Sequence, residues 1–239
     1  MGDLYAIGHT LSVWFLPVIF AITLHEAAHG WAADKLGDDT ARRLGRISVN
    51  PIRHVDPFGT LILPGLLLLF SPIVFGWAKP VPVNFMRLRR PQRDMALVAA
   101  AGPACNFLQA LLCAWAIFAV LPFLDGNVRD WVGQNFTNAI LVNLILAIFN
   151  LFPIPPLDGG RIVTGLLPRE LAVRYARIER YGLVILLLLL FVVPLASQQL
   201  GLSFNPVFAF VFAVLKPAVW LLAALSPFDF DVLWRVLLW

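Results

Sequence analysis

Long apolar stretches separated by short charged loops dominate this sequence. Six runs can be delimited, at residues 11–33, 59–78, 95–124, 138–152, 181–196 and 204–225. Most of them approach or exceed the roughly 20 residues that an α-helix needs to cross the hydrocarbon of a bilayer. The pattern predicts an all-α polytopic membrane protein, folded as a single membrane-embedded domain over residues 1–239.

The composition supports a membrane protein and leaves no room for a separate soluble module. Of the 239 residues, 60% are hydrophobic and 13% are charged, and the mean hydropathy is +0.81. About a quarter of a soluble domain is charged. We expect no cleavable signal peptide, because residues 1–10 contain neither Lys nor Arg. The two cysteines lie in one apolar run and predict neither a disulfide framework nor a cysteine-based zinc site.

Positive charge is concentrated in three loops, at residues 35–53, 79–93 and 161–180, which hold 15 of the 18 Lys and Arg residues. Basic loops of membrane proteins face the cytoplasm, so this bias indicates membrane orientation rather than nucleic-acid binding. The first two loops flank the run 59–78, which is therefore expected to enter and leave on one side. Pro64, Gly65 and Pro72 suit such a re-entrant segment, although an ordinary span is the alternative.

The sequence HEAAH, from His25 to His29, lies inside the first apolar run. On a helix His25 and His29 are one turn apart on one face, so both imidazoles can bind the same metal ion. Glu26, on an adjacent face, can act as a base on water at that metal. Ionisable groups at membrane depth are costly and usually functional. A catalytic zinc site with a cytoplasmic location is the prediction that follows.

Catalytic zinc takes three protein ligands and leaves one position open, so a third ligand must come from elsewhere. Asp34 is about 140° around the helix from His29. Glu170 and Glu179 lie in an arginine-rich stretch typical of surface ion pairs. His54 and Asp56, in the first basic loop, remain open alternatives.

Asp158 is the best of these candidates, because it follows the proline-rich stretch 151–156, where unwound backbone can line a cavity. The charge-derived topology also places it on the same side as His25 and His29. A plain turn or cap aspartate before Gly159 and Gly160 is equally compatible with the spacing.

Three stretches together resemble the site-2 protease family of intramembrane zinc metalloproteases. They are HEAAH at 25–29, GPACN at 102–106 and NLFPIPPLDGG at 150–160. The resemblance implies one Zn²⁺ per chain bound by His25, His29 and Asp158, with Glu26 as general base. It also implies a three-span catalytic core over about 11–161, with additional spans at about 181–225. The chain resembles a compact prokaryotic subgroup without PDZ or CBS modules.

The reaction implied is hydrolysis of peptide bonds in or near the transmembrane segments of membrane proteins. Asn150 matches a position of the family at which an amide can donate to the oxyanion or hold an unwound substrate strand. For Asn143 we favour interhelical hydrogen bonding, and Asn106 is undecided between the two roles. The expected partners are a membrane-protein substrate and the bilayer of the cell membrane, and self-association is left open. A lipid-cleaving zinc hydrolase and a metal transporter are the alternatives.

Two further segments have a recognisable pattern. Residues 76–84 alternate prolines and valines and are expected to be extended, either as an edge that pairs with a substrate strand or as a connecting loop. Residues 228–239 contain Trp234, Arg235 and Trp239 and are expected to anchor at the membrane interface.

Overall fold

The computed structural model describes residues 2–62, 65–66 and 78–238, and its regular elements are helices. The α-helices are α1 (Gly2–Lys35), α2 (Thr40–Arg43), α3 (Pro91–Val120), α4 (Gly126–Asn150), α5 (Asp158–Leu166), α6 (Arg169–Ala176), α7 (Glu179–Leu187), α8 (Val193–Gln199), α9 (Pro206–Leu225) and α10 (Phe230–Leu238). A π-helical turn at Leu188–Val192 joins α7 to α8 in one continuous rod. The all-α prediction is confirmed.

Within the described residues, five helical segments are long and apolar enough to cross a membrane. They are Tyr5–Lys35, Pro91–Phe123, Gly126–Asn150, Glu179–Gln199 and Pro206–Leu225. Each corresponds to one predicted run, but α4 begins at Gly126 and not at residue 138. Residues 126–137 are more polar than the rest of the run, but Val128, Trp131, Val132 and Phe136 recur at helical spacing, and the helix begins there. The protein is a multi-pass membrane protein.

The predicted re-entrant run lies mostly outside the described residues, which stop at residue 66 and resume at residue 78. The described chain on its two sides meets directly. The Lys79 N–H donates to the His54 carbonyl oxygen at 2.9 Å, and the Arg46 guanidinium donates to the Lys79 carbonyl oxygen at 2.8 Å. The first two basic loops therefore lie together at one end of the bundle, in agreement with the charge pattern.

Helix α3 occupies the centre and packs against α1, α4 and α5. Its buried face carries small residues at four-residue intervals, at Gly102, Asn106, Ala110 and Ala114. Small side chains let helices approach closely where lipid offers no hydrophobic driving force for association. Helices α9 and α10 complete the apolar core on the far side of α4, and α10 buries Leu233 and Leu237 there. The C-terminal segment is thus an amphipathic helix packed on the bundle.

The loop between α4 and α5 is held from outside by the next two helices. The Tyr175 hydroxyl of α6 donates to the Pro153 carbonyl oxygen at 2.6 Å. Gly182 of α7 presents its bare backbone to the Pro155 carbonyl, and a Cβ atom there would overlap that oxygen. The helices that follow residue 161 therefore support the loop that leads into Asp158.

Replacement of Gly182 by alanine tests this support. Gly182→Ala must push the loop away from α7, and overpacking of this kind costs about 1–3 kcal/mol. We expect a lower midpoint of thermal unfolding in detergent. Gly8→Ala is the matched control, because Gly8 is a helical glycine at which a Cβ atom would have no neighbouring atom within 4 Å. Equal midpoints for the two variants would contradict the role given to Gly182.

Candidate metal centre

Three potential ligand atoms converge between α1 and the start of α5. The Nε2 atoms of His25 and His29 are 3.0 Å apart, and they lie 3.2 Å and 3.3 Å from Asp158 Oδ2. Tetrahedral zinc with bonds of about 2.0–2.1 Å separates its ligand atoms by about 3.4 Å. The three atoms thus form a nearly equilateral triangle with the dimensions of one face of a zinc tetrahedron.

Two glycines allow Asp158 to reach this position. The proline-rich loop after Asn150 folds back onto the first turn of α5, where Gly159 faces the carbonyls of Leu151 and Phe152. Gly160 lies against the backbone of Ile154 and Pro155 in the same way, and a Cβ atom at either glycine would overlap main-chain atoms. Glycine is therefore required at positions 159 and 160, because the loop before Asp158 packs directly on their backbone.

The surroundings of Asp158 fit a metal ion. Its Oδ2 atom is buried and has no hydrogen-bond partner among the described residues, although a buried carboxylate oxygen normally requires one. Burial acts to raise the pKa of Asp158, but the adjacent His25 and His29 imidazoles outweigh it and hold the pKa below its usual range. The carboxylate oxygen is thus unsatisfied and directed at two imidazole nitrogens. Two imidazoles and one carboxylate are a donor set that suits zinc.

The far nitrogen of each imidazole is fixed by α3. His29 Nδ1 lies 2.8 Å from the Val98 carbonyl oxygen, and His25 Nδ1 lies 2.5 Å from Asn106 Oδ1. Asn106 in turn donates to Asn143 Oδ1 at 2.7 Å, and both amides are almost fully buried. Because a carbonyl acceptor requires Nδ1–H, these contacts leave each Nε2 lone pair free for a metal.

These contacts involve the two asparagines whose roles were considered in the sequence. Asn143 makes the interhelical hydrogen bond that its position predicts, and Asn106 joins that bond to His25. The Val98 contact could not be predicted from the sequence, because every residue has a main-chain carbonyl whatever its side chain.

Gly102 gives the two imidazoles the space that they occupy. A Cβ atom on Gly102 would lie 2.5 Å from His29 Nε2 and 2.6 Å from His25 Nε2. The backbone of α3 therefore forms the floor of the site. In the sequence this glycine is visible only as part of GPACN, which does not indicate such a role.

A cavity of about 360 Å³ opens beside the three ligands. Glu26 and Asn150 line it together with His25, His29 and Asp158, so the structure brings every predicted site residue to one space. The Asn150 amide donates to the Leu146 carbonyl oxygen at 3.0 Å. Arg161, which the sequence did not single out, also lines the cavity.

The other candidate ligands have different partners. His54 Nε2 lies 2.9 Å from the Ser48 carbonyl oxygen, and Asp56 accepts the backbone N–H groups of Phe58 and Gly59. Asp34 pairs with Arg42. Within the described residues, the group able to hold a metal ion is His25, His29 and Asp158.

Comparison with known proteins gives a consistent result. The family model described as "Peptidase family M50" matches residues 123–193. The YwhC protein of Bacillus subtilis (strain 168), whose name describes a candidate zinc metalloprotease, is 40% identical over 198 residues, covering 80% of this chain and 84% of the relative. The chain belongs to peptidase family M50.

More distant relatives agree with this assignment. Rip2 of Mycobacterium tuberculosis (strain ATCC 25618 / H37Rv), named in the same terms as YwhC, is 31% identical over 172 residues, which are 72% of this chain and 63% of Rip2. The regulator of sigma-E protease RseP of Salmonella typhimurium (strain 14028s / SGSC 2262) is 26% identical over 57% of this chain and 31% of its own length. No solved structure matches the chain at comparable significance. This M50 peptidase is accordingly a zinc metalloprotease.

The ligand assignment can be tested by metal analysis of the purified protein. Asp158→Ala removes one of the three ligands. Loss of a residue that hydrogen-bonds a ligand lowers metal affinity about 10- to 100-fold, so we expect loss of the ligand itself to lower zinc affinity by more than that. His54→Ala should keep one zinc per chain, because His54 contacts Ser48 and not the triangle. Zinc retained in Asp158→Ala but lost in His54→Ala would overturn the assignment.

Proposed function

We propose that this M50 peptidase cleaves peptide bonds within or next to transmembrane segments of other membrane proteins. The observation that carries the proposal is the position of the ligand triangle. Two of its three corners, His25 and His29, lie on α1, a helix suited to cross the membrane. The hydrogen bonds that orient His25 come from Asn106 of α3 and Asn143 of α4, two further helices of this kind. A peptide bond must enter the bundle to reach this site. The relatives support peptide hydrolysis and give no support to lipid hydrolysis or transport.

The roles of the side chains follow from their chemistry. His25, His29 and Asp158 would hold the zinc ion. When bound, zinc makes water more acidic and polarises the carbonyl that is attacked. Glu26 lines the cavity next to the ligands, where its carboxylate accepts a proton from the attacking water and returns it to the leaving amine.

Asn150 is proposed to bind the substrate or its developing oxyanion. Its side chain stands at the end of α4, on the cavity wall, where the helix gives way to the loop carrying Asp158. Its amide nitrogen has two N–H groups, and the bond to Leu146 uses one of them. The second N–H can therefore donate to a carbonyl oxygen of an extended peptide in the cavity.

The location of the site is part of the proposal. All three basic loops are expected in the cytoplasm, and Arg161, at the start of the third loop, stacks on Phe85 of the second at 5.6 Å. His29 and Asp158 lie at this same end of the bundle. We therefore place the active site toward the cytoplasmic side of the cell membrane.

Glu26→Gln tests the mechanism directly. The variant keeps the size of the side chain and removes the base, so zinc should remain at one per chain while kcat falls by about 10²- to 10⁴-fold. The readout is a comparison of membrane proteomes from cells expressing the wild type or Glu26→Gln, in which wild-type cells should contain additional fragments ending in or near transmembrane segments.

The matched control for this experiment is Glu170→Gln, which removes an exposed carboxylate outside the cavity. This control should give the wild-type fragments. Identical fragments from the wild type and Glu26→Gln would contradict the proposed mechanism, and altered lipids without altered proteins would favour the lipid hydrolase.

Thiol labelling tests the topology. In a chain lacking Cys105 and Cys113, single substitutions Arg46→Cys and Arg89→Cys should resist an impermeant reagent in intact cells, because both loops are expected in the cytoplasm. Asn127→Cys, at the other end of the bundle, should be labelled from outside. Labelling of Arg89→Cys with protection of Arg46→Cys would mean that the segment between them crosses the membrane.

A further inference from the structure

One backbone N–H group faces Glu26. The Val81 amide donates to Glu26 Oε2 at 2.8 Å, across 55 residues of sequence. Val81 stands between Pro80 and Pro82, neither of which has an N–H, so it provides the single main-chain donor of this three-residue stretch. The sequence therefore presents one donor at this point of the chain, and the structure directs it to the carboxylate beside the metal ligands.

The segment carrying this donor is fixed at both ends. On one side the Lys79 N–H donates to the His54 carbonyl oxygen at 2.9 Å. On the other side the Asn84 N–H donates to Oδ2 of the fully buried Asp38 at 2.6 Å. Pro82 also restricts Val81, because a proline narrows the backbone choices of the residue before it, and Pro80 has its own φ angle fixed by its ring. The donor is therefore pre-organised.

The Val81 side chain shows how closely the segment lies on α1. A Cβ atom built on Gly30 would come within 3.0 Å of Val81 Cγ1, so the glycine after His29 leaves room for this contact. The contact sets the distance between the Val81 backbone and the helix that carries Glu26.

The hydrogen bond gives the two oxygens of the Glu26 carboxylate different surroundings. Oε2 is held by Val81, whereas Oε1 has no hydrogen-bond partner among the described residues. A flexible glutamate has three rotatable bonds to order, and a hydrogen bond to a charged acceptor is strong enough to select one arrangement. Glu26 is thus kept over the cavity with one oxygen available.

We propose that the Val81 N–H is a positioning group that orients the Glu26 carboxylate for proton transfer. This inference rests on the proposed function, in which Glu26 is the general base. The group acts through Glu26 and touches neither the substrate nor the metal. The rival interpretation is that the bond restrains Glu26 in an unproductive position and must break before catalysis.

The test removes one N–H and leaves the side chain in place. Incorporation of the α-hydroxy acid analogue of valine at position 81 converts the amide to an ester without a donor. The matched control is the same analogue at Val49, an exposed valine in the first basic loop, whose N–H has no partner within the described part of the chain. Val81→Pro is a second variant, which removes the same N–H and keeps an amide but also replaces the side chain that packs near Gly30.

The activity measurement uses the full-length, zinc-loaded protein and a defined probe, two soluble tags joined by one apolar span with a central Gly-Pro break. The ester at 81 and Val81→Pro should lower kcat about 10- to 100-fold, as loss of a charge-assisted hydrogen bond can, with KM within about twofold and zinc content unchanged. The ester at 49 should match the wild type. A merely structural defect would instead lower zinc content or alter KM.

A second measurement needs no substrate. In hydrogen exchange, the wild-type fragment 78–84 should contain a slowly exchanging amide at Val81, and Glu26→Ala should release that amide alone. Glu170→Ala should leave it protected. A Val81 amide that exchanges at the same rate in the wild type and in Glu26→Ala would overturn the inference.

The outcomes also separate this inference from the proposed function. Glu26→Gln is measured on the same probe. If Glu26→Gln is inactive while the ester at 81 retains full kcat, or gains activity, the positioning role is wrong and Glu26 is still the base. If Glu26→Gln cleaves as well as the wild type, the proposed function fails and the positioning role fails with it.

Discussion

A charged metal site among apolar helices is stable only if every polar atom in it has a partner, and most of this structure serves that requirement. The His25 and His29 Nε2 atoms face Asp158, and their Nδ1 atoms face Asn106 and Val98. Asn106 is itself satisfied by Asn143 and by the Ala21 carbonyl. With both imidazoles protonated at Nδ1, the two Nε2 atoms and Asp158 Oδ2 face one another without a hydrogen between them, and a metal ion would complete all three. The polar network thus pre-orients the ligands and leaves its gap at the metal position.

Close packing is the second requirement, and glycine meets it at each contact around the site. Gly102 leaves room for the imidazoles, Gly159 and Gly160 allow the turn into α5, and Gly182 admits the Pro155 carbonyl. The last of these contacts gives the helices after residue 161 a structural part in the catalytic half of the chain. A boundary between core and additional spans, as drawn from the sequence motifs, therefore does not divide the molecule into independent parts.

The sequence predicts His25, Glu26 and His29 because they are conspicuous in an apolar run. For Asp158 the proline-rich stretch left a cap aspartate equally open, and the family resemblance favoured a ligand; the structure brings all four side chains to one cavity. The sequence was also sufficient for the number of apolar helices in the described residues, since hydropathy reports burial in lipid. It could not predict that Asn106 orients His25 or that Val81 meets Glu26. Those features depend on contacts between distant parts of the chain, and the Val81 contact uses a main-chain atom common to almost every residue type.

The distance along the chain between the ligands has a consequence for biosynthesis. Two ligands belong to the first helix, and the third follows the end of α4, at residue 158. A nascent chain that has released only α1 and α3 into the membrane has two histidines and no third corner, so its affinity for zinc is low and its hydrolytic site is incomplete. The third ligand is available only after α4 has been synthesised, so the complete ligand set cannot form on the first two long helices alone.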